Sequence, residues 1–123
     1  MTKHLGLLSA VILFLGLLYV VRKWPYGINH TFSQHVARHK SAIVYYAVLF
    51  CLVLPLLLLF FFGWFIPYFD MTVWFKVCMS LSALFQLLCT FVPEVGGIKS
   101  TIHRGLAFLS ADFLLPATIL ISL

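Results

Sequence analysis

The sequence predicts an all-α polytopic membrane protein. Four transmembrane helices, at about 5–21, 42–66, 72–93 and 103–123, form a single helical domain over 1–123. Three observations predict this class. Of the 123 residues 63% are apolar and 9% are charged, whereas a soluble domain carries about 25% charged residues. The mean hydropathy is +1.11 over 14.0 kDa. A chain that small buries only about two-thirds of its surface on folding, and it is far too hydrophobic for disorder. The apolar residues also fall in uncharged runs that approach or exceed the about 20 residues needed to cross a hydrocarbon core. They lack the alternation of barrel strands.

Taken in order, the first run extends from Leu5 to Val21 and is closed by Arg22-Lys23-Trp24-Pro25. Lys3 and His4 precede it as in a signal peptide. No small-x-small cleavage site follows, however, and the basic pair acts as a stop-transfer signal, so the segment reads as a retained span. The second run lies between Lys40 and Asp70 and contains Pro55, which should kink it. Its stretch Leu56 to Phe62 is continuously apolar and should face lipid on most sides. The third run lies between Lys76 and Glu94, and snorkelling of Lys76 extends it back to about Thr72. The fourth runs from His103 to Leu123 with Asp112 as its one acid. The sequence stops while still apolar. Either the fourth span ends flush with the membrane surface or the chain is a piece of a longer one.

Charge sets the orientation. Arg22, Lys23, Arg38 and Lys40 flank the first loop and Lys99 lies in the third, while the second loop holds Asp70 and no base. The positive-inside rule puts loops one and three in the cytoplasm and both termini outside an inner membrane. Trp24, Trp64, Tyr68 and Trp74 fall where interfacial aromatic belts belong. The formal charge of +5 is explained by that loop bias and by anionic headgroups, not by nucleic acid. Cys51, Cys78 and Cys89 lie in apolar runs, odd in number and without CxxC. They read as buried free thiols, with no disulfide framework and no zinc site.

Candidate chemistry is sparse. Thr31 and Gln34 match a capping box, so a helix should start near Phe32 and run on into the second span. His35 and His39 would share one face of it, a metal-ligand spacing. No carboxylate accompanies them, though, and Arg38 and Lys40 would repel a cation. The plainer reading is a basic juxtamembrane helix of His35, Arg38, His39 and Lys40 lying against headgroups. Ser82, Gln86, Cys89 and Thr90 form a polar stripe on the third span, the kind of group that bonds between helices in lipid. Gly105, Ala107, Ser110, Ala111 and Ala117 let the fourth span approach closely. Asp112 sits mid-span, where an ionisable group costs about 2.5–3.5 kcal/mol and marks a functional hypothesis. Ser82 lies at nearly the same depth and Gln86 about one turn away. Asp112, Ser82 and Gln86 are therefore expected to form one hydrogen-bonded cluster.

The stretch Phe91-Val-Pro-Glu-Val-Gly-Gly-Ile-Lys-Ser-Thr-Ile-His103-Arg-Gly-Leu-Ala107 resembles a pattern in a bacterial family of multispan membrane proteins of unknown function, distantly similar to the DRAM/Sfk type. There a span ends in Phe-x-Pro, and after a short polar loop a His with a small residue four later opens the next span. Phe91, Pro93, His103 and Ala107 carry the likeness, over about a third of the chain. The resemblance implies a loop-to-helix role for His103. Since such proteins usually carry six spans, it also implies a truncated six-span protein.

No Ser/His/Asp constellation, glycine-rich phosphate loop or HExxH motif is present. The expectation is a small integral membrane protein that is not an enzyme and needs no cofactor or metal. It would act as a structural or interaction subunit in contact with the bilayer, a membrane protein partner or a second copy. The alternative is a transport or proton-translocation component using Asp112.

Overall fold

The computed structural model describes residues 2–122, with the backbone alone at 120 and 122. The chain is helical almost throughout. A 3-10 turn, Thr2–His4, leads into α1, Leu5–Lys23; α2 is Phe32–Ala37. Helix α3, Lys40–Phe60, continues through a π-helical segment, Phe61–Phe65, into a last turn, Ile66–Tyr68. Helix α4 is Val73–Phe91 and α5 is Gly97–Ser122. Among the described residues three segments are long and apolar enough to cross a membrane: Thr2–Lys23, Lys40–Tyr68 and Val73–Phe91.

The helices associate as two pairs, α1 with α3 and α4 with α5; α3 touches α4, and α2 lies across the end of α1 and α3. In the first pair the approach is governed by Gly16. A Cβ there would lie 2.5 Å from Leu49 Cδ1, inside contact distance, so a larger residue would push the Leu49 side chain out of its place between α1 and α3. The close approach also brings Tyr45 Oη within 3.4 Å of the Gly16 carbonyl, to which it donates. Nearby, Val20, Val36 and Ala42 form one buried cluster edged by Trp24, Tyr45 and Tyr46.

That cluster explains a departure from expectation. Helix α2 starts at Phe32 on its capping box, as the spacing predicts, but it ends at Ala37 and does not run into the second span. His39 is extended, with φ −130° and ψ 127°, and α3 begins at Lys40. On a continuous helix Val36 and Ala42, six residues apart, would point about 120° away from each other. Breaking the helix at His39 lets both reach Val20. The expected juxtamembrane helix of His35, Arg38, His39 and Lys40 is therefore two pieces. His35 is buried, while Arg38, His39 and Lys40 are exposed.

At the opposite end Phe61, Phe65, Ile66, Phe75, Met79 and Ala117 pack together. The turn between α3 and α4 passes through Asp70 at φ 48°, a left-handed conformation that aspartate tolerates better than most residues. Thr72 then caps α4, its hydroxyl accepting from the Phe75 amide at 3.4 Å.

The second pair is knitted by a seven-residue register on both helices. Cys89 meets His103, and Ser82 meets Ser110. Phe75 and Met79 pack with Ala117. Helix α5 starts at Gly97, six residues before the expected fourth span, because nothing after Gly96-Gly97 breaks a helix. Gly96 and Gly97, at φ 92° and 58°, make the turn that other residues would strain. His103 consequently lies in the second turn of α5 and does not open it. Leu123, the end of the expected span, lies outside the described residues. Of the three thiols expected to be buried, only Cys89 is; Cys78 is half-buried and Cys51 is exposed.

Two glycine substitutions should separate close packing from helix propensity. Gly16→Val should lower stability by about 1–3 kcal/mol through overpacking against Leu49. Gly105→Ala, with nothing within 4 Å of the new methyl, should raise it by up to about 1 kcal/mol. Thermal unfolding in detergent measures both, and equal effects would refute the close α1–α3 approach.

Candidate functional site

The polar side chains gather where loops one and three meet. Glu94, in the turn between α4 and α5, is the centre. Its Oε2 accepts from Ser33 Oγ at 2.8 Å and from Thr31 Oγ1 at 3.3 Å; its Oε1 accepts from Arg104 Nε at 3.1 Å. The carboxylate thus joins the start of α2 to the second turn of α5, and its side chain is only 7% exposed. The position suits it, because the free amides of a helix start favour negative charge. Burial by itself would raise its pKa. The hydrogen bonds from Ser33 and Arg104, with the positive potential of His103 and Arg104, outweigh that and hold it below its ordinary value.

Around Glu94 the capping box positions the rest. Thr31 accepts from the Gln34 amide, and Gln34 Oε1 accepts from the Thr31 amide at 3.1 Å and from His30 Nδ1 at 3.1 Å. His30 stacks on the Tyr26 ring with centroids 3.9 Å apart. The Arg38 guanidinium lies 3.7 Å from the same centroid and donates to Tyr26 Oη at 2.9 Å. Two groups that close cannot share one face of a ring, so Tyr26 is held between them. A cleft of about 460 Å³ opens here, lined by Tyr26, His30, Arg38, Glu94, Ser100 and Arg104 among others.

His35 turns away from this cleft and donates from Nδ1 to the Trp24 carbonyl at 3.1 Å. His39 is exposed on the far side of the helix break. The two therefore do not converge as ligands on one helix face. Among the described residues no group of three or more His, Cys, Asp or Glu side chains gathers at metal-binding distance.

Inside the second helix pair, the expected cluster of Asp112, Ser82 and Gln86 does not assemble. Ser82 Oγ donates to the Ser110 carbonyl at 2.8 Å, and Ser110 Oγ donates back to the Ser82 carbonyl at 3.0 Å. Asp112 follows Ser110 by two residues, about 200° around the helix, and is exposed on the face away from α4. Gln86 is half-buried and offers its backbone carbonyl to Thr90 Oγ1 at 2.8 Å. Position along the two helices is readable from sequence, and the angular position of Ser110 puts it, rather than Asp112, opposite Ser82. The signal was available, since His103, Ser110 and Ala117 repeat at the same seven-residue interval as Phe75, Ser82 and Cys89.

Cys89 and His103 invite a nucleophilic reading that their geometry does not support. Cys89 Sγ is 3.6 Å from both ring nitrogens, so it aims at neither, and it donates to the His103 carbonyl at 3.5 Å. His103 Nδ1 donates to the Val92 carbonyl. This fastens Val92, between Phe91 and Pro93, to the second turn of α5. No protein-family model, curated protein or solved structure matches the chain.

Protonation of Glu94 should weaken the molecule. Its carboxyl is depressed in the fold, so its contribution is complete above the ordinary carboxyl value of about 4.3. That contribution is lost as pH falls through the lower folded value. Glu94→Gln should cost about 1–3 kcal/mol at neutral pH, the worth of hydrogen bonds to a buried charge. It should also remove that part of the acid dependence. Unfolding in detergent as a function of pH checks this, and identical acid profiles for the two proteins would refute it.

Proposed function

We propose that the chain is a four-span inner-membrane protein that serves as a structural or interaction subunit, docking through the outer face of α5 onto a membrane partner. With 26 residues, α5 rises about 39 Å, more than the about 30 Å of a hydrocarbon core. Loops one and three, which meet at Glu94 and carry most of the basic residues, belong in the cytoplasm, with both termini outside.

The observation that carries this reading is the position of Asp112. It lies mid-span on the exposed face of α5, whereas Ser82, Ser110, Cys89 and Thr90 have partners within the chain. A carboxyl facing lipid at that depth is costly, and a hydrogen-bonding group from a neighbouring protein relieves the cost. Gly105, seven residues earlier on the same face, has open space around it and would let that neighbour approach closely.

Purification of the tagged chain after mild detergent extraction tests the reading. A membrane protein or second copy should copurify with the wild type and with Asp112→Asn, because an amide also donates. Recovery should fall about threefold or more with Asp112→Leu, in line with interhelical hydrogen bonds of about 0.6–2 kcal/mol. If Asp112→Asn instead abolished a pH-dependent flux in proteoliposomes and left copurification intact, the protein would be a transport component and the docking reading would fall.

A further inference from the structure

The cleft between α2 and the first turns of α5 is independent of that outer face. It lies beyond Lys23 at the end of α1 and Phe91 at the end of α4, at the level where headgroups belong if these helices span. Six of the eight basic residues of the chain, Arg22, Lys23, Arg38, Lys40, Lys99 and Arg104, sit at this end of the molecule.

Three features of the lining point to an anion. The Arg38 guanidinium is fixed against Tyr26 but has no carboxylate within 4 Å; among the described residues the one ion pair is Arg104 with Glu94. Arg38 spends a single N–H on Tyr26, leaving most of its planar fork for another acceptor. Glu94 does not oppose an anion strongly, since both its oxygens are taken up by Arg104, Ser33 and Thr31. Finally, Ser100 is 92% buried and lines the cleft, and among the described residues its hydroxyl makes no hydrogen bond. No enclosed side-chain oxygen or nitrogen among the described residues lacks a partner, so this hydroxyl opens onto the cleft and is free to donate to a ligand there. It stands in the first turn of a 26-residue helix, whose dipole favours negative charge there.

We infer that this cleft binds a phosphate group through Arg38, Ser100 and Arg104, with the phosphate diester of an anionic membrane lipid or a free phosphate as its source. Arginine forks match phosphate oxygens in pairs. The volume of about 460 Å³ is that of a small-ligand cleft, room for a headgroup while its acyl chains lie outside. The inference rests on the chain being membrane-embedded but not on docking at α5, so failure to capture a partner leaves it untouched.

Native mass spectrometry of the full chain in neutral detergent tests it. The probes are phosphatidylglycerol, phosphatidylcholine and inorganic phosphate. The wild type should retain phosphatidylglycerol in preference to phosphatidylcholine, and Arg38→Gln should weaken that binding about tenfold. Arg38→Lys should fall between the two, because it keeps the charge without the fork. Ser100→Ala, which alters neither charge nor packing appreciably, should weaken it about threefold and covers the case in which Arg38→Gln fails to fold. Lys99→Gln, which removes the same charge outside the cleft, should bind as the wild type does. Saturable binding of inorganic phosphate with the same variant pattern would support the site with a free phosphate as its source. Equal binding by wild type, Arg38→Gln and Ser100→Ala would overturn the inference, as would an equal loss with Lys99→Gln.

Discussion

Glu94 joins the two halves of this molecule. It stands in the turn between α4 and α5, yet two of its hydrogen bonds come from Thr31 and Ser33 at the start of α2, more than sixty residues earlier in the chain. Apart from it, the α1–α3 pair and the α4–α5 pair meet along α3 and α4 and in the cluster of Ile66, Phe75, Met79 and Ala117 at the opposite end. Helices in lipid gain little from burying apolar surface against one another. Their mutual position therefore depends on such polar fastenings and on close approach at small residues. Glu94 is tied from three sides, and it also brings Arg104 and Ser100 to the cleft that Tyr26, His30 and Arg38 complete.

The same economy governs each pair. Gly16 lets α1 reach Leu49, and Ser82 and Ser110 exchange side-chain-to-backbone bonds in the α4–α5 seam. Cys89 and His103 extend that seam toward the loops. These contacts use up the polar groups facing inward, while Asp112 stands on the exposed side of α5, away from the α4 seam. That position is the reason the proposed docking is placed on that face.

Much of the fold was legible in sequence because long uncharged apolar runs mark their helices directly. Uncharged runs located α1, α3 and α4 to within a few residues, and the capping box at Thr31 and Gln34 located the start of α2. The break at His39 was not legible. No proline or glycine marks it, and its cause is tertiary: Val36 and Ala42 both have to reach Val20. The sequence places the start of α5 late because Lys99 reads as loop, although a helix extends past an apolar core without penalty. The site was the least legible part. Glu94, Ser33 and Arg104 are separated by sequence distances that no local pattern spans, and Ser110 reads as a small residue until the seven-residue register that sets it opposite Ser82 is taken into account.

The central claim is that Glu94 fixes the two helix pairs against each other. Pulsed dipolar spectroscopy tests it most directly. Spin labels would be placed at positions 29 and 99, with Cys51, Cys78 and Cys89 replaced by Ala. The account predicts one narrow distance distribution when Glu94 is present and a broad one in Glu94→Ala. An equally narrow distribution in Glu94→Ala would contradict it.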